Sequence, residues 1–257
     1  MWVEPCPRRV RVSLASVVIA DSRRVLYLFE TGHRPVYYFP RADVRLDLLV
    51  PTDHRSHCPF KGEASYWSVA VGDAGDQTVA RRQMVENAVW AYPEPLASCP
   101  DISGHLAFYW NKMDAWFEED DEVFVHPRDP YARVDVMRSS RHIQVVMGGD
   151  VIADSHRPSL LFETGLPTRY YLPRADVRMD LLTPSATTSR CPYKGLARYW
   201  SMTVDGTVVD IAWSYPAPIP ECPKIEALVC FFDERVDELI VDGVTQPRPA
   251  TKWSARG

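Results

Sequence analysis

The chain contains the same long segment twice. FETGHRPVYYFPRADVRLDLL, beginning at Phe29, returns from Phe162 as FETGLPTRYYLPRADVRMDLL, with 15 of 21 positions identical. The same offset of 133 residues pairs VIADS from Val18 with VIADS from Val151, and CPFKGEASYWS from Cys58 with CPYKGLARYWS from Cys191. Further along, the offset falls to 123, where NAVWAYPEP around Trp90 matches DIAWSYPAP around Trp213. Copy one therefore carries about ten additional residues, placed by this reading in GDAGDQTVARRQ between two strands. The period far exceeds the roughly 20–50 residues of stacked solenoid repeats, so each copy is a whole domain. The expected domains are residues 1–127 and 128–257, joined within HPRDPYARVDVMRSS, between His126 and Ser140. That stretch is rich in Pro, Arg and Ser, as a surface connection should be. The acidic run EEDDE before it reads as a solvated edge or turn.

Within each copy, short alternating segments dominate. SYWSVAV puts Trp67, Val69 and Val71 on one face and Tyr66, Ser68 and Ala70 on the other, the period of a strand. RYWSMTV repeats this with Trp200, Met202 and Val204 facing in. Tyr37 and Phe39 alternate with Val36 and Tyr38, and Trp90 and Tyr92 are expected to share a face with Ala88. PRADVRLDLL breaks the pattern. Val44, Leu48 and Leu49 fall near helical spacing behind Pro40, which predicts one short helix per copy. Short strands, one helix and Pro-rich turns define a mainly β, antiparallel domain of about 120 residues.

Composition narrows the partners. A net charge of −5 argues against a sequence-independent grip on nucleic acid, which needs clustered Lys and Arg. No stretch approaches the roughly 18 apolar residues of a membrane-spanning helix, and MWVEPCPRRVRV has no apolar signal-peptide core. A cytoplasmic location is the expectation, with the six cysteines reduced. No phosphate-cradling Gly-rich loop, Gly-x-Ser-x-Gly elbow, His-Glu-x-x-His motif or EF-hand loop occurs.

Residues present in both copies are what a shared fold or a shared site needs. The polar set is Glu30, Arg41, Asp43, Arg45 and Lys61, matched by Glu163, Arg174, Asp176, Arg178 and Lys194. Two readings stand for it. Glu30 and Lys61 suit a general base and a substrate-anchoring cation; alternatively the charges form a fixed structural network, with Arg41 or Arg45 bonding turn carbonyls or Asp43. The aromatic set is Tyr66, Trp67, Trp90 and Tyr92, matched by Tyr199, Trp200, Trp213 and Tyr215. Trp67 alternates with valines and belongs to the core, whereas Trp90 and Tyr92 sit where a strand runs into Pro93-Glu94-Pro95. An indole and a phenol there either line a pocket for a flat or cationic ligand or fill the core.

The sulfur set is Cys58 and Cys99, matched by Cys191 and Cys222. A structural zinc takes four ligands, usually from paired Cys-x-x-Cys turns. Copy one adds His57 and His105, but Arg190 and Leu228 stand at those positions in copy two, so ligand count excludes a zinc shared by both copies. Buried thiols are expected, with a nucleophilic Cys58 or Cys191 beside Lys61 or Lys194 as the other reading. No cofactor is implied. The copies also differ: Trp110 and Trp116 align with Asp233 and Leu239.

CPFKG followed by YW, then WAYPEP and FYWNKMDAWFEEDDEVFVHPRDPY, resemble a bacterial family known only as domain of unknown function family 427. The resemblance covers nearly the whole chain, twice. VDELIVDGVTQPRP resembles that family's usual ending and HPRDPYARVDV the join between its tandem domains. It implies a fold similar to the β-tent group, whose members often grip zinc through two Cys-x-x-Cys knuckles. Here one cysteine stands where each knuckle would be. The implied fold is thus tent-like with the metal replaced by packing, Cys58 lying near Cys99 and Cys191 near Cys222. The family has sometimes carried a nucleotidyltransferase label, but paired carboxylates after a Gly-Ser turn are missing from this sequence.

The functional expectation is a small-molecule-binding protein, with Trp90, Tyr92 and Tyr66 stacking and Glu30, Arg41 and Lys61 orienting a polar ligand. Copy two supplies the matching residues. The alternatives are a hydrolase or transferase using Glu30, Lys61 or Cys58, and a protein-interaction module with an exposed apolar patch.

Overall fold

Strands whose alternate residues are apolar on both sides need cover on both faces, and this sets the architecture. A computed structural model describes residues 1–72, 83–204 and 206–254. The expected insertion in GDAGDQTVARRQ falls almost entirely outside the described residues. Contacts divide the chain into two units, Met1–Asp129 and Pro130–Gly257.

The first unit contains β1 (Trp2–Pro5), β2 (Val10–Leu14), β3 (Val17–Ser22), β4 (Leu26–Phe29), β5 (Val36–Pro40), β6 (Leu49–Cys58), β7 (Gly62–Val71), β8 (Gln83–Ala91), β9 (His105–Phe108), β10 (Ala115–Glu118) and β11 (Asp121–Glu122). They form a seven-stranded sheet, β1-β4-β5-β9-β8-β7-β6, and a four-stranded sheet, β11-β10-β2-β3, with antiparallel pairing throughout. In the second unit the corresponding strands run from β12 (Val134–Arg138) to β22 (Val244–Thr245), and both sheets repeat the same order. The duplication read from sequence is thus a duplication of topology.

The inter-sheet core of the first unit gathers Tyr37, Phe39, Val69, Val71, Val12, Ile19 and Trp116, with Trp67 packed against it. Tyr38, Tyr66 and Tyr92 point the other way into an outer cluster with Leu28, Ala64, Ile102 and Ala107. The alternation of Tyr37 and Phe39 against Tyr38 is therefore correct, but both faces are covered. The second unit repeats this division, with Trp200 inward and Tyr171, Trp213 and Tyr215 outward. Ala88 departs from expectation. Ala88 and Val89 both join the inter-sheet core, because β8 bulges at Asn87, whose φ is +48°. A bulge shifts the alternation, so Ala88 no longer shares a face with Trp90 and Tyr92.

The helix expected across PRADVRLDLL is replaced by two single 3₁₀ turns, Arg41–Asp43 and Leu46–Leu48. Val44 between them is extended, bridges to Ala20 and is buried in the inter-sheet core. Arg45 N–H donates to the Ile19 carbonyl at 2.8 Å, so the backbone is spent on β3 rather than on a helix. Copy two does the same through Val177 and Ala153.

Phe39 is fully buried and meets Phe108 edge-on at 5.5 Å. Phe39→Ala is expected to cost about 3–5 kcal/mol in chemical denaturation; a cost below about 1 kcal/mol would contradict this placement of the core.

Candidate functional site

Of the residues common to both copies, Glu30, Lys61, Cys58 and Cys99 meet where the outer cluster is closed by irregular chain. Residues 58–61 turn between β6 and β7, with Lys61 N–H donating to the Cys58 carbonyl at 3.3 Å. Gly62 follows at φ +99°, where an added Cβ would lie 3.4 Å from the Glu94 carbonyl oxygen. A second turn, residues 96–99, docks on the first. Leu96 N–H donates to the Lys61 carbonyl at 3.1 Å, and Cys99 N–H to the Leu96 carbonyl at 2.8 Å. The second domain repeats every bond, through Cys191, Lys194, Ile219 and Cys222.

Lys61 reaches back beneath these turns. Its ammonium donates to Glu30 Oε2 at 2.6 Å and lies 5.7 Å from the centre of the Tyr92 ring. Its side chain is 9% exposed and that of Glu30 24%. Lys194 and Glu163 form the same pair. Of the two readings of these charges, a fixed ion pair is what the geometry places there.

Arg41 does not join it. Its guanidinium lies over Trp67 at 6.0 Å, and Arg174 lies over Trp200 at 5.7 Å, both rings belonging with the inter-sheet core. Asp43 accepts from Ser22 and Arg24, each at 2.6 Å, while Arg45 pairs with Asp47. Asp176 and Arg178 have the matching partners Arg157 and Asp180. The expectation that Arg41 or Arg45 serves Asp43 is corrected, because Ser22 at the end of β3 and Arg24 just beyond it occupy both carboxylate oxygens.

The aromatic set packs densely. Tyr66 is buried and its hydroxyl meets Ser56 Oγ at 2.6 Å, as Tyr199 meets Ser189 at 2.6 Å. Trp90 Nε1 donates to the Tyr38 hydroxyl at 3.4 Å, and its ring lies 4.5 Å from that of Tyr109. Trp213 donates to Tyr171 at 3.1 Å and packs 4.5 Å from Phe232. Tyr92 and Tyr215 are buried, and burial raises both phenols well above the ordinary range.

All six cysteines are free. Cys58 and Cys99 belong to one cluster and Cys191 and Cys222 to another, as the family resemblance implies. Burial pushes the Cys222 thiol up to about 11 against the opposing influence of Lys194, and Cys99 shifts the same way. These two thiols stay protonated near neutral pH, which suits packing rather than nucleophilic attack. Zinc does not fit. Each pair of turns supplies two sulfurs beside an ammonium already bonded to a carboxylate, and Leu96 or Ile219 stands at the remaining turn position.

Two features lie outside the expected residues. Arg169, 6% exposed, bonds Asp233 Oδ2 at 3.0 Å and grips Glu234 with two bonds of 2.9 and 2.6 Å. Trp213 and Trp253 face the guanidinium at 5.6 and 5.4 Å. Val36 and Trp110 hold the first-domain positions of Arg169 and Asp233, and Trp110 there stacks on Trp116 at 4.4 Å. One guanidinium neutralises one carboxylate, and burial then pushes Asp233 up to about 7.

The second feature is an open depression of about 420 Å³ lined by Arg133, Asp135, Met137, Phe162, Glu163 and Thr164. A cross-strand difference between the domains lies at its centre. Trp2 lies opposite Phe29 on β1 and β4 and stacks on it at 4.9 Å. Asp135 lies opposite Phe162 at the equivalent place, on β12 (Val134–Arg138) and β15 (Ser159–Glu163). Phe162 is 40% exposed, against 4% for Phe29. Extending the internal alignment back to Trp2 and Asp135 shows the substitution, while its neighbour Phe162 is given by the strand register.

The profile described as Domain of unknown function (DUF427) matches residues 2–119 and 135–242, and the chain belongs to this family through both of its domains. No curated protein matches the chain. Among the described residues, no helix is long and apolar enough to cross a membrane.

Two outcomes follow. Lys61→Met is expected to cost about 2–3 kcal/mol, since it strands Glu30 in a mostly buried place, and Glu30→Gln added to it should recover much of the loss. Denaturant titration of the two variants checks this, and an additive double variant would refute the pairing. The native state holds an extra proton on Asp233 between the ordinary carboxylate range and about pH 7. The contribution of Asp233 to stability therefore falls as pH rises through that window. Asp233→Asn should gain stability over the parent between pH 5 and pH 8 in urea denaturation, whereas identical pH slopes would refute it.

Proposed function

We propose that the second domain binds a small molecule carrying a flat apolar ring, seated on Phe162 in the depression between β12 and β15. The observation that carries this reading is the uncovered Phe162 face, which in the first domain is stacked against Trp2. The volume, about 420 Å³, lies in the range of small-ligand sites. Met137, 55% exposed, offers a second adaptable apolar wall. Arg133 and Asp135, paired across 2.5 Å at the rim, offer donors and acceptors to polar substituents. Glu163, among the residues expected from sequence to orient a ligand, lines the same depression while held by Lys194.

On this reading the remaining repeated residues act from behind. Lys194 fixes the carboxylate, Tyr199, Trp213 and Tyr215 fill the outer cluster beside it, and Arg174 supports Trp200 on the opposite face. The first-domain set of Glu30, Lys61, Tyr66, Trp90 and Tyr92 does the same structural work beneath a face that bears Trp2.

The test is a nuclear magnetic resonance screen of small aromatic fragments against the full chain. Fragments should shift the resonances of Phe162 and Thr164, and Asp135→Trp, which installs the first domain's covering residue, should abolish those shifts. No fragment response in the parent, or an undiminished response in Asp135→Trp, would sink the proposal.

A further inference from the structure

The hairpin of β13 (Ile143–Met147) and β14 (Asp150–Ser155) pairs Ile143 with Ser155 and Gln144 with Asp154. One step further along the same register, His142 faces His156. Alternate residues share a face, so His142, Gln144, Asp154 and His156 stand together on one side of the hairpin. Their geometry bears this out. The two imidazoles stack with centroids 4.0 Å apart and planes 13° apart. His142 Nε2 lies 2.8 Å from Asp154 Oδ1, and Gln144 Nε2 donates to Asp154 Oδ2 at 2.9 Å. One ligand atom from each of His142, Asp154 and His156 fits within 4.8 Å of the others.

The first domain shows what this face looks like without such a cluster. Its equivalent residues are Arg9, Arg11, Asp21 and Arg23. Arg9 Nε bonds Asp21 Oδ1 at 2.7 Å, and this bond, with the charges of Arg9, Arg11 and Arg23, holds the Asp21 carboxyl below the ordinary range. In the second domain the same aspartate remains, but all three permanent cations are gone. Two imidazoles and an amide stand in their places. Positive charge has been removed around a retained carboxylate and replaced by side chains that donate lone pairs to cations. A further carboxylate lies close by, since Asp242 accepts from His142 N–H at 2.9 Å while pairing with Arg141.

We propose that His142, Asp154 and His156 bind a divalent transition-metal ion of the zinc, cobalt or nickel class. Two nitrogens and one oxygen select these ions over calcium and magnesium, which take all-oxygen shells. Water completes the coordination, and Gln144 holds the aspartate in orientation from behind, as outer-shell partners of metal ligands do. This site is independent of the depression at Phe162.

The test uses the full chain without an affinity tag and Co²⁺ as the probe, in equilibrium dialysis with electronic absorption. The expected result is a single Co²⁺ bound with weak visible bands typical of nitrogen and oxygen ligands, and no intense thiolate charge-transfer band. His142→Arg combined with His156→Arg installs residues that the first domain carries on the same backbone, and should weaken binding by at least about tenfold. His156→Ala alone should weaken it in the same direction, and Cys191→Ser with Cys222→Ser should leave it unchanged. Failure of the parent to bind Co²⁺, undiminished binding in the histidine variants, or a thiolate band lost with the cysteines would each overturn the proposal.

Discussion

Each large sheet is apolar on both faces, but only one face has a second sheet to cover it. The other is closed by irregular chain, and irregular chain must be pinned before it can exclude water. Lys61 and Lys194 provide that pin at two levels. Their backbones join the two covering turns, and their ammonium groups cross beneath to Glu30 and Glu163. Neither ion pair is freely solvated, so each holds a geometry that a surface pair would not. The aromatic cluster above, from Tyr66 and Tyr92 to Trp90, keeps its place because this lid is fixed.

A metal in a pair of knuckles does the same job by gathering four ligands around a central charge. Here the central charge is an ammonium carried on the chain itself, and two thiols remain beside it without a bond between them. A lysine paired with glutamate delivers one cation where it is needed with no dependence on metal supply. This accounts for the joint presence of Glu30, Lys61, Cys58 and Cys99 in both copies without requiring shared catalysis.

Much of this was legible in the sequence because strand period and duplication are local, additive signals. Tyr37, Phe39, Trp67 and Val69 fell on the face their alternation assigned them. The helix in PRADVRLDLL failed because Val44 is drawn onto Ala20 of another strand, an attraction no local window contains. Recurrence in both copies groups Arg41 with Lys61, yet recurrence does not say which face of a sheet a residue serves. The depression at Phe162 and the histidine pair escaped for a related reason. Both depend on which residue lies across a strand, Asp135 for Phe162 and His142 for His156, and that register is fixed by the fold.

The same register explains how two copies of one framework came to differ. Positions that pin the lid are the same in both, because changing one without its partner strands a charge. Surface positions on the hairpins sit in exposed networks instead, such as Arg9 with Asp21 and His142 with Asp154, where a change leaves the carboxylate in solvent rather than buried. Trp2 against Asp135, and Arg9 with Arg23 against His142 with His156, are substitutions of this kind. They alter what the second domain presents to solvent and leave its strand order untouched. The buried differences also come as a set: Arg169 holds Asp233 and Glu234, whereas the first domain fills the positions of Arg169 and Asp233 with Val36 and Trp110. Among the described residues, the second domain thus presents Phe162 beside Asp135 and a histidine pair on the strands where the first presents Phe29 under Trp2 and paired arginines.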